Sequence, residues 1–468
     1  MHTGLKDFAK VDAVFLEKLA EITTVYTDDE TLESYSRDWT EDLRFPPAVV
    51  VKPTTTEEVA EIVRLCNRMR IPVTPVGART GLSGGMLPVY GGVALGLEKM
   101  NRILNLDERN LQITVEAGVV TENLQQAAES VGLMYPPDPS SKGSCTIGGN
   151  LAECAGGAHA VKYGITRDYV LALTAVTGDG RIIRTGAKVL KNSTGYSMTH
   201  LLVGSEGTLA VITEATLKLI PKPLHDSVML VAFADPEQAC DCVSAIFRAK
   251  IVPSALEFIE RDAIAFGQKY LGINAYDLDG VGAHLLIEVD GNDPAVIMRE
   301  CEAVAAVVER YGARDILFAD DDEKKKQLWR LRRCLGEAVK GNTIYKEEDT
   351  VVPRAELAKL LRFVKQIGRE YGFQSVCYGH AGDGNLHVNI IKNDISDSDW
   401  ENKIPQAVRK IFEFVHSVGG TLSGEHGIGW VQRRYMDVVF SPDEMSLMKA
   451  MKAVFDPNGV LNPGKIFY

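Results

Sequence analysis

The chain has 468 residues, a net charge of -12 at pH 7, 45% hydrophobic residues and 24% charged ones. That length exceeds one ordinary core and implies two or three domains, with the composition of a soluble globular protein. The acidic balance excludes nucleic acid as a partner, because phosphates ask for clustered Lys and Arg.

The first 45 residues read as an N-terminal helical segment. Its opening, Met1 to Ala20, mixes Lys6, Asp7, Lys10 and Asp12 with apolar residues, which fits neither a signal peptide nor a membrane span. Ala48 to Val51 predicts a short strand, and Thr55-Thr-Glu-Glu58 a capping box that opens a helix with Val59, Ile62, Val63 and Cys66 on one face. A strand from Ile71 to Val76 then runs into Gly77-Ala-Arg-Thr-Gly-Leu-Ser-Gly-Gly85. A glycine-dense loop at a strand end exposes consecutive backbone N–H groups, a concavity suited to phosphate oxygens. It lacks the Gly-Lys-Ser/Thr ending of a P-loop, and Pro88 follows where a Rossmann domain would have a helix.

Pro136-Pro-Asp-Pro139, Ile147-Gly-Gly-Asn150, Ala155-Gly-Gly157 and Tyr163-Gly164 form a second glycine-rich region with little room for regular structure. A hairpin follows around Gly178-Asp-Gly180, then Gly204-Ser-Glu-Gly207 and a strand from Ala210 to Ile220. After Pro221-Lys-Pro223 the pattern changes. Between Val228 and Ile390 the chain opens with the order β-α-β-β-α-β, ending in a strand from Ile316 to Ala319, which predicts a ferredoxin-like antiparallel sheet with helices on one face. A helix from Glu323 to Val339 and strands around Val351 and Val388 extend it, and Ser441-Pro-Asp-Glu444 caps a last helix.

Two stretches near the C-terminus gather three histidines and a glutamate among glycines: Tyr378-Gly-His-Ala-Gly-Asp-Gly-Asn-Leu-His-Val-Asn389 and Ser423-Gly-Glu-His-Gly-Ile-Gly429. Strand alternation puts His387 and Asn389 on one face and Leu386, Val388 and Ile390 on the other. A single histidine beside glycines is more often a turn or core residue; the cluster reads as a metal and proton-transfer site. Imidazole and carboxylate suit zinc, manganese or iron, and three protein ligands with an open position suit catalysis. The eight cysteines lack a CxxC pair and read as reduced, mostly buried thiols of a cytoplasmic protein, with no iron–sulfur cluster encoded.

Taken in order, Pro75-Val-Gly-Ala-Arg-Thr-Gly-Leu-Ser-Gly-Gly85, Pro137-Asp-Pro139, Ile147-Gly-Gly-Asn150, Gly204-Ser-Glu-Gly-Thr208, Gly379-His-Ala-Gly-Asp-Gly-Asn-Leu-His387, Gly424-Glu-His-Gly427 and Leu461-Asn-Pro-Gly-Lys465 carry a resemblance over residues 30 to 468. The chain resembles the FAD-linked D-2-hydroxyacid dehydrogenases of the vanillyl-alcohol oxidase type, which include D-lactate dehydrogenase, the flavin subunit of glycolate oxidase and D-2-hydroxyglutarate dehydrogenase. The resemblance implies an α+β fold: a two-subdomain FAD-binding domain over 46–224, a ferredoxin-like antiparallel-sheet substrate domain over 225–415, and a helical C-terminal segment over 416–468 that returns to the flavin.

It also implies site residues. Val76, Gly77, Ala78, Arg79, Thr80, Gly81, Leu82 and Ser83 look like the loop that receives the FAD pyrophosphate. Pro137, Asp138, Gly148, Gly149, Asn150, Gly157 and Tyr163 look like a second FAD-contacting region. Glu206 and Ile212 are similar to residues along the adenine and ribose side, and Asn462 resembles a C-terminal flavin contact. His380, His387 and Glu425 match the ligands of a divalent metal, zinc or manganese, and His426 the base. Arg332, Asn389 and Lys346 look like substrate-holding residues, although a charge on a surface helix is the plain alternative for Arg332. Covalent flavoproteins of this type often carry a histidine where this chain has Arg79 and Thr80, which implies noncovalent FAD. Gly336 stands where the hydroxyglutarate enzymes have threonine, and extra acid surrounds Lys346, which favours D-lactate or glycolate over a dicarboxylate.

The implied reaction is hydride transfer from the substrate carbon to flavin N5. Reoxidation would fall to an iron–sulfur subunit, an electron-transferring flavoprotein or a quinone. A homodimer and a place at the inner face of the membrane, without a transmembrane segment, complete the expectation. The alternatives are a D-2-hydroxyglutarate dehydrogenase, an oxidase using oxygen directly, a noncatalytic FAD-binding subunit of a larger complex, and metal-dependent hydrolysis without flavin.

Overall fold

A computed structural model describes residues 8–40, 43–276 and 278–467. The chain divides into two compact units, each assembled from separate segments. The first takes the chain up to Ala155, Ile165–Lys222 and the residues from Glu425 onward; the second takes Gly156–Gly164 and Pro223–Gly424.

The first unit contains two subdomains. In one, Val25–Tyr26, Val49–Val51, Val93–Gly96 and Val73–Val76 form a four-stranded sheet in that order, with Val93–Gly96 parallel to both neighbours. Val49–Val51 and Val73–Val76 flank Val93–Gly96 and run parallel to each other, and helix Thr56–Met69 makes the crossover between them. Thr55 caps this helix by accepting from the Glu58 N–H, while the Glu58 carboxylate bonds back to the Thr54 N–H rather than to Thr55. Val59, Ile62, Val63 and Cys66 are fully buried against Val49, Val51, Val73 and Val93. Burial of each such aliphatic side chain stabilises the unit by roughly 1.5–3 kcal/mol. The other subdomain is an antiparallel five-stranded sheet ordered Ile103–Asp107, Gln112–Glu116, Ala210–Lys218, Val170–Thr177 and Ile182–Gly186. Because Val25–Tyr26 pairs with Val49–Val51, the N-terminal segment belongs to this unit.

The second unit is built on a seven-stranded antiparallel sheet. Its first four positions, Ala313–Ala319, His225–Phe233, Ala283–Gly291 and Ala255–Glu260, have the ferredoxin-like order 4-1-3-2 that the β-α-β-β-α-β pattern implies. Gln374–Gly379, Asn385–Ile391 and Tyr345–Val351 continue it.

Three expectations need correction. Helices cover both faces of the sheet. Asp322–Arg333, Leu335–Asn342 and Arg261–Leu271 pack on the face bearing Ala255, Ile259 and Tyr378, while Pro236–Arg248 and Leu357–Tyr371 lie on the other, where Lys365 bonds Glu260 and Ser375. The expected single helix from Glu323 to Val339 is two helices meeting at Cys334. The glycine-rich region contains regular structure after all, helices Ile147–Glu153 and Ala160–Tyr163, because paired glycines cost a helix only about 1 kcal/mol each and close packing offsets this. Gly148 is such a case: a Cβ there would lie 2.7 Å from Ala117 Cβ.

Candidate functional site

One face of the seven-stranded sheet carries the polar side chains. Strands Tyr345–Val351 and Asn385–Ile391 pair with Glu347 opposite Asn389 and Asp349 opposite His387; Tyr378 of Gln374–Gly379 also lies opposite His387. Directly paired residues share a face, so Glu347, Asp349, His387, Asn389 and Tyr378 point the same way. His380 follows the end of Gln374–Gly379, and its ring meets that of His387 edge-on, with centroids 5.4 Å apart. Both histidines are buried. The His387 Nδ1 lies 3.5 Å from Asp349 and 3.6 Å from Glu347. Gly379 and Gly384 bracket the turn between the histidines at positive φ, where a side chain would be strained.

Glu257 joins this group from the strand Ala255–Glu260. It is completely buried, and its oxygens lie 2.8 and 2.9 Å from His380 Nδ1. On its other side it accepts 2.7 Å from Arg332 Nε, with Nη2 at 2.5 Å. Helix Asp322–Arg333 turns Leu328, Trp329, Leu331 and Arg332 inward, so Arg332 is not a surface charge. Its guanidinium sits 5.4 Å from the ring of Tyr378, whose phenol is pushed well above its ordinary pKa by burial. Asp349 anchors the next motif: its carboxylate accepts from Asn385 Nδ2, Ser423 Oγ and the Gly424 N–H. Glu425 and His426 follow directly and open the last segment of the first unit, with 3.9 Å between them.

The first unit holds the glycine cradle. Strand Val73–Val76 leads into the loop, in which Arg79 adopts a left-handed φ of 64° and stacks its guanidinium 4.9 Å from the Tyr35 ring. A Cβ on Gly77 would lie 3.0 Å from Thr146 Oγ1, with Gly149 Cα at 3.7 Å, so this loop runs beside the start of helix Ile147–Glu153. Gly81 has nothing within 4 Å of a built Cβ, and Gly149 only Thr146 Oγ1 at 3.6 Å. Two bare backbones side by side leave room and N–H groups for a pyrophosphate, so the residues fit FAD. The chain's end closes the cradle. Asn462 donates its amide to the Gly85 and Glu206 carbonyls, and the buried Lys465 Nζ donates to Leu87 O. Burial pushes the Lys465 ammonium down from its usual range and the Glu206 carboxyl up.

The expected residues are thus sorted. Val76 to Ser83, Gly148, Gly149, Asn150 and Asn462 gather in the first unit, with buried Asp138 in the same unit. Glu206 spends its carboxylate on the Ile428 and Gly429 N–H groups, and Ile212 packs into the apolar core. Gly157 and Tyr163 go with the second unit, where the Tyr163 hydroxyl donates to Asp290. Asn389 is fully buried and donates to Val376 O. Lys346 stands apart from this group. One residue from Glu347 on a strand, it projects from the opposite face, 3.7 Å from Glu401 and 5.0 Å from the Trp400 ring. Sequence reasoning missed Glu257 and Glu288, the latter binding His159, Ser254 and Trp329. The available signal was an acidic residue set inside an apolar strand, which burial tolerates only with partners.

Comparison with known proteins agrees. Residues 47–186 match the FAD binding domain family, and residues 222–466 match the family of FAD linked oxidases, C-terminal domain. A D-lactate dehydrogenase of Anaerostipes hadrus is 42% identical over 98% of both chains, and the glycolate oxidase subunit GlcD of Bacillus subtilis is 41% identical over 92% of both. A p-cresol methylhydroxylase structure with substrate bound superposes with a TM-score of 0.79 over 97% of this chain and 96% of its own, at 16% identity, a likeness of fold. With both halves of its length matched and the glycine cradle in place, this chain belongs to the FAD-linked oxidases and is an FAD-dependent oxidoreductase.

Proposed function

We propose that the protein oxidises a D-2-hydroxy monocarboxylic acid, D-lactate or glycolate, to the 2-oxo acid. One observation carries this reading: Arg332 and His380 are held by the same buried carboxylate, Glu257. A 2-hydroxy acid has its hydroxyl and its carboxylate on adjacent carbons, and it needs a metal ligand and a guanidinium as close neighbours. The names of the similar proteins, D-lactate dehydrogenase and glycolate oxidase subunit, support the same class.

In this reading His380, His387 and Glu425 hold a divalent metal, zinc or manganese, a set of two imidazoles and one carboxylate that such ions accept. Bound FAD supplies a hydride acceptor, and the metal a Lewis acid for the hydroxyl oxygen. Arg332 binds the substrate carboxylate. His426 takes the hydroxyl proton, as an imidazole near neutrality can. Asn389 and Tyr378 fix the floor beneath His387. A second substrate carboxylate is disfavoured, because Glu347 and Asp349 share the face with His387 while Lys346 is turned away. The eight cysteines are separate buried thiols, and the reading passes electrons to another protein or a quinone.

The test is to purify the protein anaerobically, record the visible flavin spectrum, measure its metal, and add D-lactate, glycolate and D-2-hydroxyglutarate separately. Bleaching by D-lactate or glycolate is expected. Bleaching by D-2-hydroxyglutarate alone would overturn the monocarboxylate reading, and a colourless protein would overturn all of it.

A further inference from the structure

The carboxylate of Glu257 is 0% exposed, yet it is shared by two side chains from different elements: His380 after one strand, and Arg332 near the end of a helix. A carboxylate buried in an antiparallel strand between Leu256 and Phe258 costs several kcal/mol of desolvation unless its oxygens are satisfied. Here they are satisfied by one imidazole nitrogen and the Arg332 Nε. The guanidinium spends its Nε hydrogen bond on this pairing, while Nη2 lies 2.5 Å from the same oxygen without a hydrogen bond of its own, so the Nη groups are what an incoming anion would meet. The imidazole turns Nδ1 toward both oxygens of Glu257, at 2.8 and 2.9 Å, a geometry that selects the tautomer donating from Nδ1.

We propose that Glu257 is a positioning residue for the reaction. It holds His380 with Nδ1–H donated to the carboxylate, so that Nε2 is the nitrogen presented to the metal. It also sets Arg332 so that the Nη groups of its guanidinium, rather than Nε, receive the substrate carboxylate. This rests on the reading above for the identity of metal and substrate; the tautomer itself does not. Outer carboxylates that orient ligating histidines typically change metal affinity 10–100-fold when removed. A bystander that merely neutralised Arg332 would leave His380 unaffected.

The experiment uses histidine-labelled holoenzyme and nitrogen NMR, with the His380 signal identified by its loss in His380→Asn. In the native protein, His380 should carry its proton on Nδ1, before and after chelation. Because Glu257→Gln strands the buried Arg332 charge and can unfold the chain, the decisive pair is Arg332→Met and the neutral double variant Glu257→Gln with Arg332→Met. The single variant should keep the Nδ1–H signal. The double variant should lose its defined tautomer and release metal to a chelator about 10–100-fold faster than the single variant. An Nε2–H tautomer in the native protein, or a double variant indistinguishable from Arg332→Met in signal and metal release, would overturn the proposal. If the native protein binds no metal under any loading but the tautomer responds as expected, the positioning role stands and the metal reading falls.

Discussion

At the scale of single residues, two basic side chains of similar sequence appearance have opposite fates. Arg332 is buried, pairs with Glu257 and lies over Tyr378, whereas Lys346 leaves the histidine face for Glu401 and Trp400. Arg332→Met should therefore raise KM for D-lactate or glycolate and lower kcat/KM by about 10²-fold or more, since a charge-assisted carboxylate contact is worth roughly 3 kcal/mol. Lys346→Met should change kcat/KM less than about threefold, as partly exposed ion pairs contribute little. Steady-state kinetics on both variants decide the assignment; equal losses would break it. The burial of Arg332 was partly legible, because Leu328, Leu331 and Leu335 set a helical stripe beside it. The fate of Lys346 was not, because a strand's facing is fixed by register with a partner about forty residues away, and one residue of slip reverses it.

Among the elements, the β-α-β-β-α-β order was readable from apolar periodicity, and strand order followed. The break at Cys334 and the helix at Ile147–Glu153 were hidden, since tertiary packing overrides local preference there. Strand Ala283–Gly291 contains a titratable cost of its own. His284 is buried, with its pKa lowered to about 4 by desolvation, Asp315 opposing the shift. The unfolded chain binds this proton near 6.5 and the folded one only near 4, so the unfolded state gains protons as pH falls between those values. Stability present above pH 6.5 is lost on acidification, up to roughly 3 kcal/mol below pH 4. His284→Leu should flatten that part of the Tm against pH curve. A curve of unchanged slope between pH 6.5 and 4 would contradict the assignment.

For the whole molecule, the strongest constraint is connectivity. No helix among the described residues is long and apolar enough to cross a membrane, and the flavin-binding unit is assembled from three stretches of chain. Its last pieces are tied to its first: Leu461 bridges Val73, the Asn462 N–H donates to Val73 O, and Lys465 reaches Leu87 O. Ending the chain at Val460 should strip these bonds and leave protein that retains little FAD, measured as flavin per polypeptide after gel filtration; full flavin occupancy would show the tail to be dispensable. A ribosome making this protein delivers the second unit complete before the first can close, because Asn462 and Lys465 emerge after it. The glycine cradle must therefore wait, unfinished, while the whole of the second unit is made.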